Sequence, residues 1–185
     1  LTGPEAISAN FSATTVCIGD STCFTDLSTT VLGTITSWEW DFGDGNTSAL
    51  QNPCNLYLNA GNYSVQLIVT NSNALSDTVI MTVSVGATPV ASFSPADTSG
   101  CSPLTVIYMN MSTISTGTIS YLWDFGNGAT STAPDTNISF SNAGTFNISL
   151  IVTSDLGCTD TSFGSVTAFS SPIIDTSSIS AISPN

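Results

Sequence analysis

Among its 185 residues the sequence contains no lysine, no arginine and no histidine, so 13 Asp and Glu stand unopposed and the formal charge is −13. Each missing type removes a class of function. Without cations the chain cannot neutralise phosphates, and nucleic acid and anionic membrane surfaces are poor partners. Without His or Lys, a Ser or Cys nucleophile has no conventional base. Five cysteines with no His and no Cys-x-x-Cys pair do not make a zinc site. No apolar run approaches the ~18–20 residues that a bilayer crossing needs, so no membrane insertion is expected. Trypsin has no site at all. The opening LTGPEAISAN lacks the charged and apolar regions of a signal peptide; a removed signal or an internal fragment is expected.

Charge of either sign is scarce, at 7% of residues, against about 25% in an average soluble domain. The surface must then be neutral and polar, built from Ser, Thr and Asn. Hydrophobic residues, at 41%, fall in short runs rich in β-branched and aromatic types, which argues for a folded, all-β chain. No segment carries a 3.6-residue apolar period.

An internal repeat organises the chain. Trp40-Asp41-Phe42-Gly43 reappears as Trp123-Asp124-Phe125-Gly126, and the same offset lays GNYSVQLIVT (61–70) on GTFNISLIVT (144–153). Tyr57 falls on Phe140. One residue further out of step, CIGDSTCFTDLS (17–28) matches CSPLTVIYMNMS (101–112), Phe24 meeting Tyr108. Tandem copies of one domain follow. Within each copy apolar residues alternate: Trp38, Trp40 and Phe42, then Tyr63, Val65, Leu67 and Val69; in the second copy Tyr121, Trp123 and Phe125, then Phe146, Ile148, Leu150 and Val152. Roughly seven short strands per copy describe an immunoglobulin-like β-sandwich. Residues 1–87 and 88–170 form the two domains. The linker around Gly86-Ala87-Thr88-Pro89 is short, which suits a stiff rod. The tail, 171–185, echoes ASFSPA (91–96) in its SAISPN; it is read as the opening strand of a truncated third repeat, or alternatively as a strand donated to a neighbour's sheet edge.

WEWDFGDG (38–45) offers acids and glycines that suit a catalytic loop, a metal clamp or a turn. A kinase-type DFG needs a partner lysine, which is lacking. Asp44 becomes Asn127 in the second copy, which abolishes carboxylate chemistry but suits a turn. Gly43, Asp44 and Gly45, with Gly126, Asn127 and Gly128, are therefore read as hairpin residues, Asp-Gly and Asn-Gly being favoured two-residue loops. Asp41 and Asp124, pointing away from the Trp/Phe face, are expected to accept backbone N–H bonds. No EF-hand ligand order exists, and acids from separate loops such as Asp155 and Asp160 are the remaining route to calcium; no cofactor is expected. Asp97-Thr98-Ser99-Gly100 resembles an aspartic-protease triplet, but the first copy has no acid there, and it reads as a loop before Cys101. Trp38, Trp40 and Trp123 read as core, leaving no surface aromatic row for carbohydrate.

Cys23 and Cys54 both point outward on strands that neighbour each other in immunoglobulin-like sheets, so a Cys23–Cys54 bridge is plausible; Cys17–Cys23 is its rival. Six sequons, at Asn10, Asn46, Asn62, Asn110, Asn137 and Asn147, are candidate glycosylation acceptors.

WDFGDG or WDFGNG, an aromatic, and then Gly-x-Tyr/Phe-x-Val/Ile-x-Leu-x-Val resemble PKD (polycystic-kidney-disease-type) domains, over about residues 4–87 and 88–170. CSPLTVIYMNMS and LGCTD (156–160) are further similar to the cysteine-bearing variety in secreted and surface proteins of Bacteroidota-type bacteria. The resemblance implies an extracellular spacer, adhesion or binding module without catalysis, and a Cys101–Cys158 disulfide. Leu75 stands where the second copy has Cys158, which leaves Cys17 odd. The function expected is a structural repeat, a rod-like section of a surface adhesin, sheath or filament protein. Its partners would be neighbouring repeats, with self-assembly, or a surface protein or polysaccharide. The alternative is a carbohydrate- or protein-binding accessory module of a secreted hydrolase.

Overall fold

The computed structural model of the chain describes residues 7–172, so most of the 171–185 tail lies outside the described residues. Among the described residues there are strands and turns and no helix. Ten strands come from the first repeat: β1 (Ile7–Ser8), β2 (Phe11–Ala13), β3 (Val16–Cys17), β4 (Ser21–Asp26), β5 (Thr29–Thr30), β6 (Ile35–Asp41), β7 (Thr47–Ser48), β8 (Cys54–Leu56), β9 (Gly61–Asn71) and β10 (Ser76–Gly86). Eight come from the second: β11 (Phe93–Ser94), β12 (Asp97–Cys101), β13 (Leu104–Asn110), β14 (Ile119–Asp124), β15 (Thr130–Ser131), β16 (Thr136–Phe140), β17 (Gly144–Ser154) and β18 (Thr159–Phe169).

The same two sheets occur in each repeat. The first has the three-stranded order β2-β4-β8 and the five-stranded order β3-β10-β9-β6-β7; the second has β11-β13-β16 and β12-β18-β17-β14-β15. The pairs β2·β4, β4·β8, β6·β7, β6·β9, β9·β10, β11·β13, β13·β16 and β14·β15 are antiparallel, whereas the edge pairs β3·β10 and β12·β18 are parallel. A two-stranded β1·β5 ribbon is added in the first repeat. By compactness, Ser112–Ser120 and Val152–Asp160 group with the residues up to Ala91 as one unit, and the other described residues of the second repeat form another.

Alternation becomes burial. Val65, Leu67 and Val69 on β9, and Ile148, Leu150 and Val152 on β17, are buried while their neighbours face outward. Against them sit aromatic clusters of matching geometry. In the first repeat Trp40 meets Phe11 at 5.1 Å and Phe24 at 5.3 Å between ring centroids. In the second, Trp123 meets Phe93 at 5.2 Å and Tyr108 at 5.6 Å. Edge-to-face and tilted pairs of this kind add about 0.5–1.5 kcal/mol beyond area burial. Each indole N–H also finds a carbonyl, Trp40 that of Leu50 at 2.9 Å and Trp123 that of Ala133 at 3.0 Å. The copies differ in where the phenol stands. Tyr57 donates its hydroxyl to the Phe42 carbonyl at 3.1 Å, whereas the buried Tyr108 hydroxyl has no partner. Burial pushes the Tyr108 pKa up to about 12.

One segment departs from expectation. Asp97–Cys101 is a strand and not a loop: β12 runs parallel to β18, Asp97 opposite Ser165 and Cys101 opposite Phe169. The Asp97 carboxylate accepts the Ser165 backbone N–H at 2.8 Å and its hydroxyl at 2.9 Å. An exposed edge strand needs no apolar face, so it leaves no alternation to read.

Candidate functional site

The twin hairpins are built from their acceptors. Asp41 Oδ1 accepts the Gly43 N–H at 2.9 Å, and Asp124 Oδ1 that of Gly126 at 2.8 Å. Asp44 Oδ1 accepts the Asn46 N–H at 2.9 Å, and Asn127 Oδ1 that of Ala129 at 3.0 Å. Asp and Asn are interchangeable here because both offer a carbonyl-type oxygen two residues before the donor. The expected two-residue Asp-Gly loop is corrected. Pairing stops at Asp41 opposite Thr47, and at Asp124 opposite Thr130. Positive φ falls on Gly43 (75°), Gly45 (92°), Gly126 (67°) and Gly128 (88°), and on neither Asp44 nor Asn127. The wider loop arises because the Phe42 and Phe125 side chains turn into the core, buried to 2% and 1%, before the chain reverses.

Gly43 and Gly126 answer a second demand. A Cβ on Gly43 would lie 2.6 Å from the Ser64 carbonyl oxygen, and one on Gly126 2.6 Å from that of Asn147. The hairpin therefore rests directly on the backbone of β9 or β17. Gly126→Ala combines a left-handed backbone with a collision against a strand, and should destabilise by about 3 kcal/mol in denaturant titration. Gly128→Ala meets open space and should cost less.

Further acids behave alike. Asp77 Oδ2 accepts the Ala9 N–H and Asp160 Oδ2 the Ala91 N–H, both at 2.8 Å. The Asp26 N–H donates to Asn52 Oδ1 at 2.8 Å, and the Asn110 N–H to Asp135 Oδ1 at 2.8 Å, an acid and an amide having changed places between copies. Eight carboxylates, those of Asp26, Asp41, Asp44, Asp77, Asp97, Asp124, Asp135 and Asp160, each accept a backbone N–H. In a chain without cationic side chains, amide, hydroxyl and indole groups are the donors left for them. Asp160 is thus held by Ala91, and among the described residues no three His, Cys, Asp or Glu side chains gather to hold a metal.

Asp26 is the most heavily engaged. Its carboxylate accepts Trp38 Nε1 at 2.7 Å, the Ser28 N–H at 2.9 Å and Gln51 Nε2 at 3.2 Å. Desolvation pushes its pKa up, but bonds from Ser28, Trp38 and Gln51 outweigh it and hold the carboxyl below its ordinary 3.8. A depressed folded pKa means stability present above the unfolded value and lost as pH falls through the folded one. Unfolding free energy should therefore decline below about pH 4. Asp26→Asn should lower it by about 1–2 kcal/mol at pH 7 and flatten part of that decline. Denaturant titrations at pH 7 and pH 3 measure both.

The cysteines correct the largest expectation. The structure joins Cys23 to Cys54, directly opposed on β4 and β8 with Cα atoms 4.0 Å apart. Cys158, expected to bond Cys101, instead bonds Cys17, with Cα atoms 5.7 Å apart, and Cys101 is free and exposed. The strand frame explains it. Cys101 lies beside Phe169 at the end of β18, whereas Cys158 precedes the start of β18 at Thr159. Ten residues of extended strand separate the two ends, roughly 30 Å. Cys17 and Cys158 fall in the same compact unit.

The sequons lie mostly in the open: Asn10, Asn46, Asn62, Asn137 and Asn147 are exposed and Asn110 half-buried. Asn46 Nδ2 is already committed to Asp44 at 3.0 Å and Asn55 at 3.2 Å. An open groove of about 530 Å³ lies on the first repeat's five-stranded sheet between Glu39, Asp41, Thr47 and Gln66. Its polar lining consists of hydroxyls, carboxylates and one side-chain amide, with no cationic group.

Sheet order, aromatic cluster and acceptor-built hairpins define an immunoglobulin-like sandwich repeat, present twice. The chain belongs to the PKD domain family, whose model matches residues 4–85 and again 86–168. It is 44% identical over 71 residues to a microbial collagenase of Vibrio alginolyticus, covering 38% of this chain and 9% of that protein. It is 49% identical over 59 residues to the pre-pro-metalloprotease PrtV of Vibrio cholerae, covering 31% of this chain and 6% of that protein. The chain thus matches less than a tenth of the length of these relatives. Among solved structures, the PKD1 domain of the Vibrio cholerae metalloprotease PrtV is 37% identical with a TM-score of 0.41, covering 44% of this chain and 98% of that one.

Proposed function

We propose that this chain is a non-catalytic, extracellular structural stretch of a longer protein, a rod-like section of a surface adhesin, sheath or filament. One observation carries the reading: eight of the 13 carboxyl groups, those of both hairpins among them, accept backbone N–H groups that hold the loops and strand entries. Two disulfides support an oxidising, extracellular setting. Neighbouring repeats of the same protein, and self-assembly with it, are the partners this reading implies.

A second reading is favoured by the relatives, since matching segments occur within a collagenase and a metalloprotease. In it the chain is an accessory module of a secreted hydrolase that contacts polysaccharide or protein. Immunogold electron microscopy with antibodies to the chain separates the two. Labelled filaments or surface layers support the structural reading. Label that is confined to the supernatant, and co-purifies with hydrolase activity, overturns it in favour of the accessory module.

A further inference from the structure

We infer that Cys101 is the acceptor for a disulfide from a further repeat following the second, formed with the cysteine that stands there where Cys158 stands here. The first repeat supplies the precedent. Cys17 lies opposite Gly86 on the parallel β3·β10 pair, and Cys101 lies opposite Phe169 on the parallel β12·β18 pair. The next residue makes the same backbone bond in each: Ile18 N–H to the Gly86 carbonyl, and Ser102 N–H to the Phe169 carbonyl, both at 2.8 Å. Gly86 and Phe169 end their strands, so each cysteine is placed where the chain leaves its own repeat.

At that place Cys17 is bonded, and its partner Cys158 comes from the repeat that follows. Cys101 occupies the same register and is exposed and free. Its own repeat cannot satisfy it, because Cys158 sits ten strand residues away at the other end of β18. Leu75 completes the pattern: it holds the position equivalent to Cys158 in the first repeat, which is the end facing away from Cys17 along β10.

The reaction is a thiol oxidation. Cys101 and the partner cysteine each give up a proton and together two electrons. A low-molecular-weight disulfide such as oxidised glutathione accepts them and leaves as two thiols. One difference bears on it. A Cβ on Gly86 would lie 2.5 Å from Cys158 Sγ, whereas Phe169, 53% exposed, stands in the corresponding place. The Phe169 ring must turn aside for the bond to form.

This inference rests on the tandem-repeat frame and not on the structural role proposed above, so its outcome leaves that reading standing. The test extends the chain by one repeat: residues 1–169 followed by a second copy of residues 87–185, with and without Phe169→Gly, folded in a glutathione redox buffer. Cysteines are alkylated without reduction, and peptides are mapped after cleavage at aspartate, since trypsin has no site. The expected result is Cys101 joined to the added copy of Cys158, with only the added copy of Cys101 alkylated. Phe169→Gly should reach full bridging at several-fold less glutathione disulfide. The Cys17–Cys158 bond in the same molecule reports that the frame has formed. If that bond forms while Cys101 is alkylated in both proteins, or is joined to any other cysteine, the inference is overturned.

Discussion

Cys158→Ser is expected to lower the unfolding free energy of the unit that contains Cys17 and Cys158 by up to about 5 kcal/mol. The bridge spans a sequence separation of 141 residues. In the chain-entropy model a loop that long restrains the unfolded chain more than the Cys23–Cys54 loop, with its separation of 31, for which the same model gives about 3.7 kcal/mol. Cys158 is buried, so the serine hydroxyl adds to the cost where it finds no partner. Denaturant titration of Cys158→Ser beside Cys23→Ser should show the larger midpoint shift for the former. Alkylation of the unreduced parent chain should modify Cys101 alone. Modification of Cys17 under those conditions would refute the pairing.

Trp123→Ala should be comparably severe, at about 3–5 kcal/mol. The indole is fully buried, touches Phe93, Tyr108 and Phe125, and donates to the Ala133 carbonyl. Alanine leaves a cavity among rings that cannot collapse inward, and it strands an acceptor as well. Trp123→Phe keeps most of the volume and loses the N–H, and should fall well short of the alanine cost. Loss of the near-UV circular dichroism of the second repeat's aromatic cluster, with an earlier unfolding midpoint, measures the effect. A shift under about 1 kcal/mol for Trp123→Ala would mean that the cluster is not the keystone assigned to it.

The sandwich was legible in the sequence because burial on one face of a strand writes itself as alternation. Trp40 with Phe42, and Val65 with Leu67 and Val69, are marked that way twice. The acceptor role of Asp41 and Asp124 was legible for a local reason, since the donor lies two residues on. Long-range pairings leave no such mark. Nothing in the spacing of Cys17 and Cys158 distinguishes a bridge across 141 residues from one within a repeat; the parallel register of β12 on β18 decides it. That register was hidden too, because Asp97-Thr98-Ser99-Gly100 faces solvent at an edge and carries no apolar period. Among the hairpin residues, Asp44-Gly45 and Asn127-Gly128 suggested two-residue loops, but glycines alone took the positive φ and the Asp44 and Asn127 side-chain oxygens took N–H groups. Composition alone cannot separate those two uses of the same residues.

The carboxylate-to-amide bonds also bear on hydrogen exchange. The amides of Ala9, Ser28, Gly43, Asn46, Ala91 and Gly126 lie at strand entries and turns, where amide hydrogens ordinarily exchange with water freely. Each is instead capped by an acid, so these amides should exchange more slowly than uncapped loop amides in a hydrogen-exchange measurement. The small acidic complement of the sequence thus acts as a set of internal clasps on its loops.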